Sequence, residues 1–147
     1  MPHFTITLTQ QAPIVVMLVG VSAARQQALT AAGQPLPAPQ NIRAMIDTGA
    51  SHTCIDPMVF TALGLQPTGS TPMLTPSTGP TPIDADTYDV SILIPNGAQQ
   101  GLLIPNMAVS ASELFVAQGF HALIGRDILQ RCVLTYNGAS AIFTLAY

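Results

Sequence analysis

The chain is poor in charge. Asp, Glu, Lys and Arg together make up 7% of its 147 residues, against roughly 25% in ordinary globular proteins. Lysine is absent, and the four basic residues are Arg25, Arg43, Arg126 and Arg131. With a formal net charge of −3 and no basic run, nucleic acid is not an expected partner, because affinity for a phosphate backbone follows the number of cations presented to it. Two cysteines are too few for a disulfide framework. Cys54 and Cys132 either pair or sit as small buried apolar residues, the commoner fate of an isolated thiol. The apolar run 14–21 is far short of the roughly 20 residues that cross a bilayer. Met1-Pro2-His3-Phe4 has no basic segment leading into an apolar one, so no secretory leader is read there. The expectation is a soluble, cytoplasmic protein with no membrane partner.

What is present points to β-structure. The 13 prolines and 11 glycines favour many turns and short strands over long helices. A hydrophobic content of 48% excludes wholesale disorder, and the length suits one domain burying about two-thirds of its unfolded surface. Phe4, Ile6 and Leu8 alternate with Thr5 and Thr7, as in a half-buried strand near an edge. The run 14–21 is β-branched and continuously apolar, the pattern of a fully buried strand. Residues 22–40 carry an Ala- and Gln-rich helix candidate closed by Gly33 and a Pro series, and read as an inserted surface excursion. A strand at 42–46 runs directly into Asp47-Thr48-Gly49-Ala50-Ser51.

Downstream, Asp56-Pro57 is a helix-start signal with a stop at Gly64. Residues 66–82 are almost entirely Thr, Pro, Ser and Gly. Strands follow at 87–94 and 102–109 around the Pro95-Asn96-Gly97 turn. Leu123-Ile124 leads into Gly125-Arg126-Asp127 and a helical turn or two over 127–131, and a hairpin around Asn137-Gly138 closes the chain.

Asp-Thr-Gly alone is weak evidence, because an Asx turn after a strand is common. Joined to the distant Ala122-Leu123-Ile124-Gly125-Arg126-Asp127-Ile128-Leu129, in this order, it resembles the retropepsin family of aspartic proteases over about residues 42–147. The resemblance implies a mostly β acid-protease fold: a closed, barrel-like single lobe over 1–147, a flap hairpin at about 66–90 and one short C-terminal helix. It makes Asp47 the catalytic carboxylate. Thr48 becomes the grip between two active-site loops, with Gly49, Ile124, Gly125 and Arg126 as support. Gly49, Ala50 and Ser51 would meet substrate, together with Ser77, Thr78 and Gly79 at the flap tip. Ser51 departs from the family, which often places there a second Asp paired to the Arg. Arg126 therefore needs another partner, Asp127 of the other subunit or a carbonyl.

Aspartic proteolysis uses two carboxylates sharing one proton. This chain has one Asp-Thr-Gly, so the second must come from an identical chain across a two-fold axis. The resemblance implies that the terminal strands, at 4–8 and 141–145, pair across that axis. It also implies an endopeptidase without metal or organic cofactor, acting on extended peptides in a cleft lined by Ile46, Ile55 and Ile124. The alternative is a non-catalytic dimeric peptide-binding module on the same fold, motivated by the Pro-rich flap and Ser51. Other constellations are weaker. His52 and Cys54, two apart on an extended segment, point to one side without facing each other for proton transfer. His3, His52, His121 and the cysteines lack zinc spacing. Asp84, Asp86 and Asp89 read as a solvated strand face rather than a cation site.

Overall fold

The computed structural model describes residues 1–75, 78–113 and 116–147. Strand β1 (His3–Thr7) leads through a tight bridge at Thr9 and Ala12 into β2 (Ile14–Val21). β2 is not buried on both faces as its composition suggests. Val15, Met17, Val19 and Val21 point into the core while Val16 is 45% exposed, the alternation of a barrel wall with one inner face.

Helix α1 (Ala23–Ala31) starts at Ser22, whose hydroxyl accepts from the Arg25 amide at 3.3 Å. It buries none of its residues, and an extended Pro-rich segment then returns the chain to β3 (Gln40–Ile46). β2 and β3 pair antiparallel from Ile14–Met45 to Val19–Gln40, so the excursion between them leaves the wall of the barrel intact.

A two-residue strand β4 (Cys54–Ile55) is followed by α2 (Pro57–Ala62). Asp56 caps this helix by accepting from the Met58 amide at 2.9 Å, and Pro57 occupies the first turn, where a missing amide hydrogen costs nothing. Leu63 caps the other end, and Gly64 takes φ +63°, a left-handed conformation that glycine adopts without strain. Phe60 of α2 is buried and stacks on Tyr88 at 3.9 Å between ring centres.

Strands β5 (Gly69–Met73), β6 (Ile83–Asn96) and β7 (Gln99–Ala111) form a long meander. The Thr- and Pro-rich stretch thus contains a strand that composition hides. β5 pairs only with β6 and is an edge, the place where Pro72 is tolerated in a sheet. β6 and β7 also outrun their apolar cores at 87–94 and 102–109, because hairpin pairing carries them out past the barrel. The β6–β7 turn is the two-residue loop Gly97-Ala98 between the paired Asn96 and Gln99, one residue past the expected Pro95-Asn96-Gly97, with Gly97 at φ +53°.

After a 3-10 turn at Val116–Gln118 come β8 (Ala122–Ile124), the single-turn α3 (Arg126–Leu129), β9 (Val133–Asn137) and β10 (Ile142–Ala146). β10 starts one residue later than expected because Ala141 sits at φ +53°.

The strands make two sheets. One runs β2-β3-β8-β4-β7-β6-β5, and β2 also pairs with β6 through Leu18–Leu93 to Val21–Val90. That extra pairing closes six strands into a barrel and leaves β5 outside it. The other sheet has the order β1-β10-β9. Phe143 and Leu145 of β10 are fully buried in the common core with Met17, Ile55, Phe60, Ile92 and Ile128. At about 25 cal/mol per Å2 of apolar surface, each such side chain contributes about 1.5–3 kcal/mol.

One expectation fails here, that of the cleft lining. Ile46, Ile55 and Ile124 are 5%, 0% and 0% exposed and pack inside the barrel, so they line no substrate cleft; their strands turn these side chains inward. The terminal strands pair with each other within one chain, from His3–Ala146 to Thr7–Ile142. β10 has β1 on one side and β9 on the other, so both of its edges are filled and it has none to offer a second subunit.

Candidate active site

The site is a crossing of two segments. β3 and β8 run parallel and adjacent, pairing Ala44 with Ala122 and Ile46 with Ile124. Beyond them the chain separates into the turn 47–51 and the loop into α3. Ala44, Ile46, Ala122 and Ile124 are buried in the barrel, so the first polar residue after each strand emerges at the barrel's end.

The Asp47 amide donates to the Ile124 carbonyl at 3.0 Å, and the Arg126 amide donates to the Ala50 carbonyl at 3.0 Å. The carboxylate of Asp47 is itself held. Its Oδ1 accepts from the Gly49 amide at 2.8 Å, while Oδ2 has no hydrogen bond among the described residues. Asp47 is half-buried, and Thr48, Gly49, Ser51 and His52 are exposed.

Gly125 is required by close approach. A Cβ there would lie 2.5 Å from the His52 carbonyl carbon, 2.7 Å from its oxygen and 2.9 Å from the Thr53 nitrogen. These are backbone atoms that cannot swing away, so the crossing tolerates no side chain. Gly49 is placed less tightly; a Cβ would meet Asp47 Oδ1 at 3.1 Å.

Below the crossing lies a polar clamp that the sequence reading missed. Thr53 Oγ1 donates to Asp127 Oδ1 at 2.7 Å and accepts from the Gly125 amide at 3.1 Å, while the Thr53 amide donates to Asp127 Oδ2 at 2.7 Å. The Ile128 amide completes the set on Asp127 Oδ1 at 2.9 Å. Thr53 is fully buried, so each of these groups needs its partner. The available signal was a threonine against Cys54-Ile55, a polar side chain in an apolar strand that had to be satisfied by something distant.

Arg126 finds its partners within its own chain. Its guanidinium donates to the carbonyls of Thr48 at 2.8 Å and Gly49 at 3.0 Å, and to Ser51 Oγ at 2.9 Å. Carbonyl partners were one of the two expectations. The serine still serves as an acceptor, so an uncharged residue at position 51 keeps the loop tied to α3 through a cationic donor and neutral acceptors.

Of the expected flap-tip residues, Ser77 lies outside the described residues. Thr78 and Gly79 sit in the loop joining β5 to β6. There the Thr78 hydroxyl donates to the Thr75 carbonyl at 2.9 Å, and Gly79 takes φ +62°. At the loop end of this hairpin, where Met73 pairs with Ile83, Met73 Sδ lies 3.9 Å from Cys54 Sγ, which brings that end of β5 to the segment that follows the Asp47 turn.

Cys54 and His52 do not share a side. His52 is exposed, Cys54 is buried, and the thiol points to the His52 carbonyl at 3.6 Å. Burial, then the Asp127 and Asp47 carboxylates, push the Cys54 thiol above its ordinary value. It is therefore protonated and a poor nucleophile at neutral pH. Cys132 is raised as well, by burial and against the pull of Arg131. Both cysteines are free. Among the described residues no group of three or more His, Cys, Asp or Glu is arranged to hold a metal ion, and no helix is long and apolar enough to cross a membrane.

A half-exposed aspartate held at a glycine-dependent crossing of two barrel strands is the arrangement of acid proteases. A family model described as aspartyl protease matches residues 29–128, and the chain belongs to that family. Among solved structures it is similar to a retropepsin-like aspartic protease from Rickettsia conorii. The TM-score is 0.61 at 16% identity, over 99% of this chain and 91% of that one. The likeness identifies the fold as retropepsin-like. No curated protein matches the sequence.

Proposed function

We propose that this protein is a homodimeric aspartic endopeptidase in which each subunit supplies one catalytic carboxylate, Asp47. The observation that carries the reading is the state of that carboxylate. One oxygen is held by the Gly49 amide, the other is open, and the residue stands half-buried on an exposed turn in a chain with a single Asp-Thr-Gly. One carboxylate cannot act as acid and base together. Two, brought together across a two-fold axis, share a proton: one takes a proton from water as the water attacks, and the other protonates the peptide carbonyl oxygen.

In this reading Thr48 links the two turns, and Gly125, with Arg126, Thr53 and Asp127, positions them. Gly49, Ala50 and Ser51 offer polar atoms to an extended peptide, which the β5–β6 hairpin covers with Thr78 and Gly79 at its tip. Neither metal nor organic cofactor takes part. The Met73–Cys54 contact supports the hairpin's place over the site, since it lays the loop end of that arm beside the segment that follows the active turn.

The test is cleavage of a mixed peptide pool at acidic pH, read as new termini by mass spectrometry, for wild type and Asp47→Asn. The wild type should cleave, and the variant should lose about 10³-fold or more in kcat while keeping its circular dichroism and sedimentation. Full activity in Asp47→Asn would sink the mechanism. Rate against pH should be bell-shaped with an acidic maximum, as one shared proton requires. Specific activity should fall on dilution, because active enzyme follows the dimer population.

A further inference from the structure

The second subunit needs a surface, and the hydrogen-bond ledger of the terminal sheet identifies one. The Leu8 amide donates to the Ala141 carbonyl at 2.8 Å, and the Tyr147 amide donates to the Pro2 carbonyl at 3.0 Å. The odd-numbered residues of β10 therefore face β1. By the alternation of an antiparallel ladder, Ile142, Thr144 and Ala146 face β9, where they oppose Asn137, Thr135 and Val133. The remaining β9 residues, Leu134 and Tyr136, turn their N–H and C=O groups outward. No hydrogen bond among the described residues reaches them.

The sheet's other edge is β1, and it is partly covered. The Asn96 side chain, from the β6–β7 turn, donates to the His3 carbonyl at 3.1 Å. The β9 edge carries no proline and no charge across Val133-Leu134-Thr135-Tyr136-Asn137, the devices with which proteins blunt an open edge. Val133 is 55% and Tyr136 50% exposed. Both ends of β9 are tied to the active turn. Its start lies just beyond α3, whose Arg126 holds Thr48 and Gly49. Near its end the Tyr136 hydroxyl donates to the Gln11 carbonyl at 2.9 Å, two residues before the Pro13 carbonyl that accepts from Ile46.

We propose that the β9 edge is the contact with a second copy of this chain. Two β9 strands pair antiparallel about a two-fold axis at Thr135, Leu134 of each opposite Tyr136 of the other, and form one six-stranded sheet in the order β1-β10-β9-β9-β10-β1. An uncharged strand is self-complementary under this operation, since no like charges meet. The inference rests on the dimeric reading above and adds to it which strand makes the dimer: β9 alone, with β1 and β10 kept inside their own subunit.

The experiment uses engineered cysteines and reads association without recourse to cleavage. Thr135→Cys and Thr5→Cys are each placed in a Cys132→Ser chain, oxidised with diamide and run on non-reducing gels. A two-fold at Thr135 puts the two Cα atoms about 4.5 Å apart, inside disulfide range. Thr135→Cys should therefore give a covalent dimer and Thr5→Cys should not.

In sedimentation velocity, Tyr136→Pro should raise the dimer dissociation constant about tenfold or more over Tyr136→Ala. Proline removes an outward amide hydrogen and spares the bonds from β9 to β10. Cross-linking through Thr5 rather than Thr135, equal dissociation of the two Tyr136 variants, or a wild type that stays monomeric would overturn the proposal. A Thr135-linked dimer that cleaves no peptide would leave it standing and defeat the protease reading instead. Cleavage by a dimer linked only through Thr5 would do the reverse.

Discussion

The barrel and the terminal sheet solve the problem of strand edges in opposite ways. The barrel closes on itself when β2 pairs with β6, and only β5 is left outside. The terminal sheet keeps two edges, one touched by Asn96 and one bare among the described residues. The closed unit holds the crossing at Asp47, where glycine and buried polar bonds permit almost no change. The open unit buries Phe143 and Leu145 on one face and leaves a Thr-rich outer face, where Thr5 and Thr144 share a 2.8 Å hydroxyl contact. On the proposed reading, geometry for chemistry and capacity for assembly are thus separated. Substitutions in the first should act on the monomer's stability and on kcat, and edge substitutions in the second on association.

Gly125→Ala tests the barrel's side of this contrast most severely. Its methyl group meets backbone atoms at 2.5–2.9 Å, and the variant should lose about 3 kcal/mol of unfolding free energy in urea. A loss under about 1 kcal/mol would mean that the crossing yields easily. Thr53→Val keeps the side-chain shape but strips Asp127 of a donor and the Gly125 amide of its acceptor. We expect a loss of about 2 kcal/mol, with kcat falling more than KM rises. An unchanged kcat in a folded Thr53→Val would detach the clamp from catalysis.

On the terminal sheet, Thr144→Ala removes one hydroxyl of an exposed pair and should cost less than about 1 kcal/mol. A larger loss would show that the outer face bears on the fold, and would erase the division between the two units. The smallest effect concerns Cys54. Its folded pKa is raised above 9.0, by burial first, while the unfolded thiol titrates at its ordinary value. The unfolded state therefore releases its proton first, and the thiol's contribution is complete below pH 9 and declines as pH rises beyond it. Unfolding free energy in Cys54→Ala should fall less steeply above pH 9 than in wild type; parallel curves would refute this assignment.

Much of the fold was legible because it depended on neighbours in sequence. The cap at Asp56 with Pro57 and the strand running into Asp47 are local devices, and each appears where the residues place it, while the β6–β7 turn lies one residue further on, at Gly97-Ala98. β5 was not legible, because Gly69–Met73 has no apolar alternation and is a strand only by leaning on β6. Ile46, Ile55 and Ile124 looked equally suited to a cleft or a core, since an apolar side chain does not encode which side of a barrel wall it occupies. For the candidate site, the sequence alone settled that a single carboxylate stands on a glycine turn and that Gly125-Arg126 accompanies it. That Thr53 and Asp127 clamp the crossing, that Arg126 takes the Thr48 and Gly49 carbonyls and Ser51, and that β10 has no free edge were decided only by tertiary structure. Each joins groups far apart in the chain, and hydrogen-bond direction and edge occupancy exist only once strands are paired.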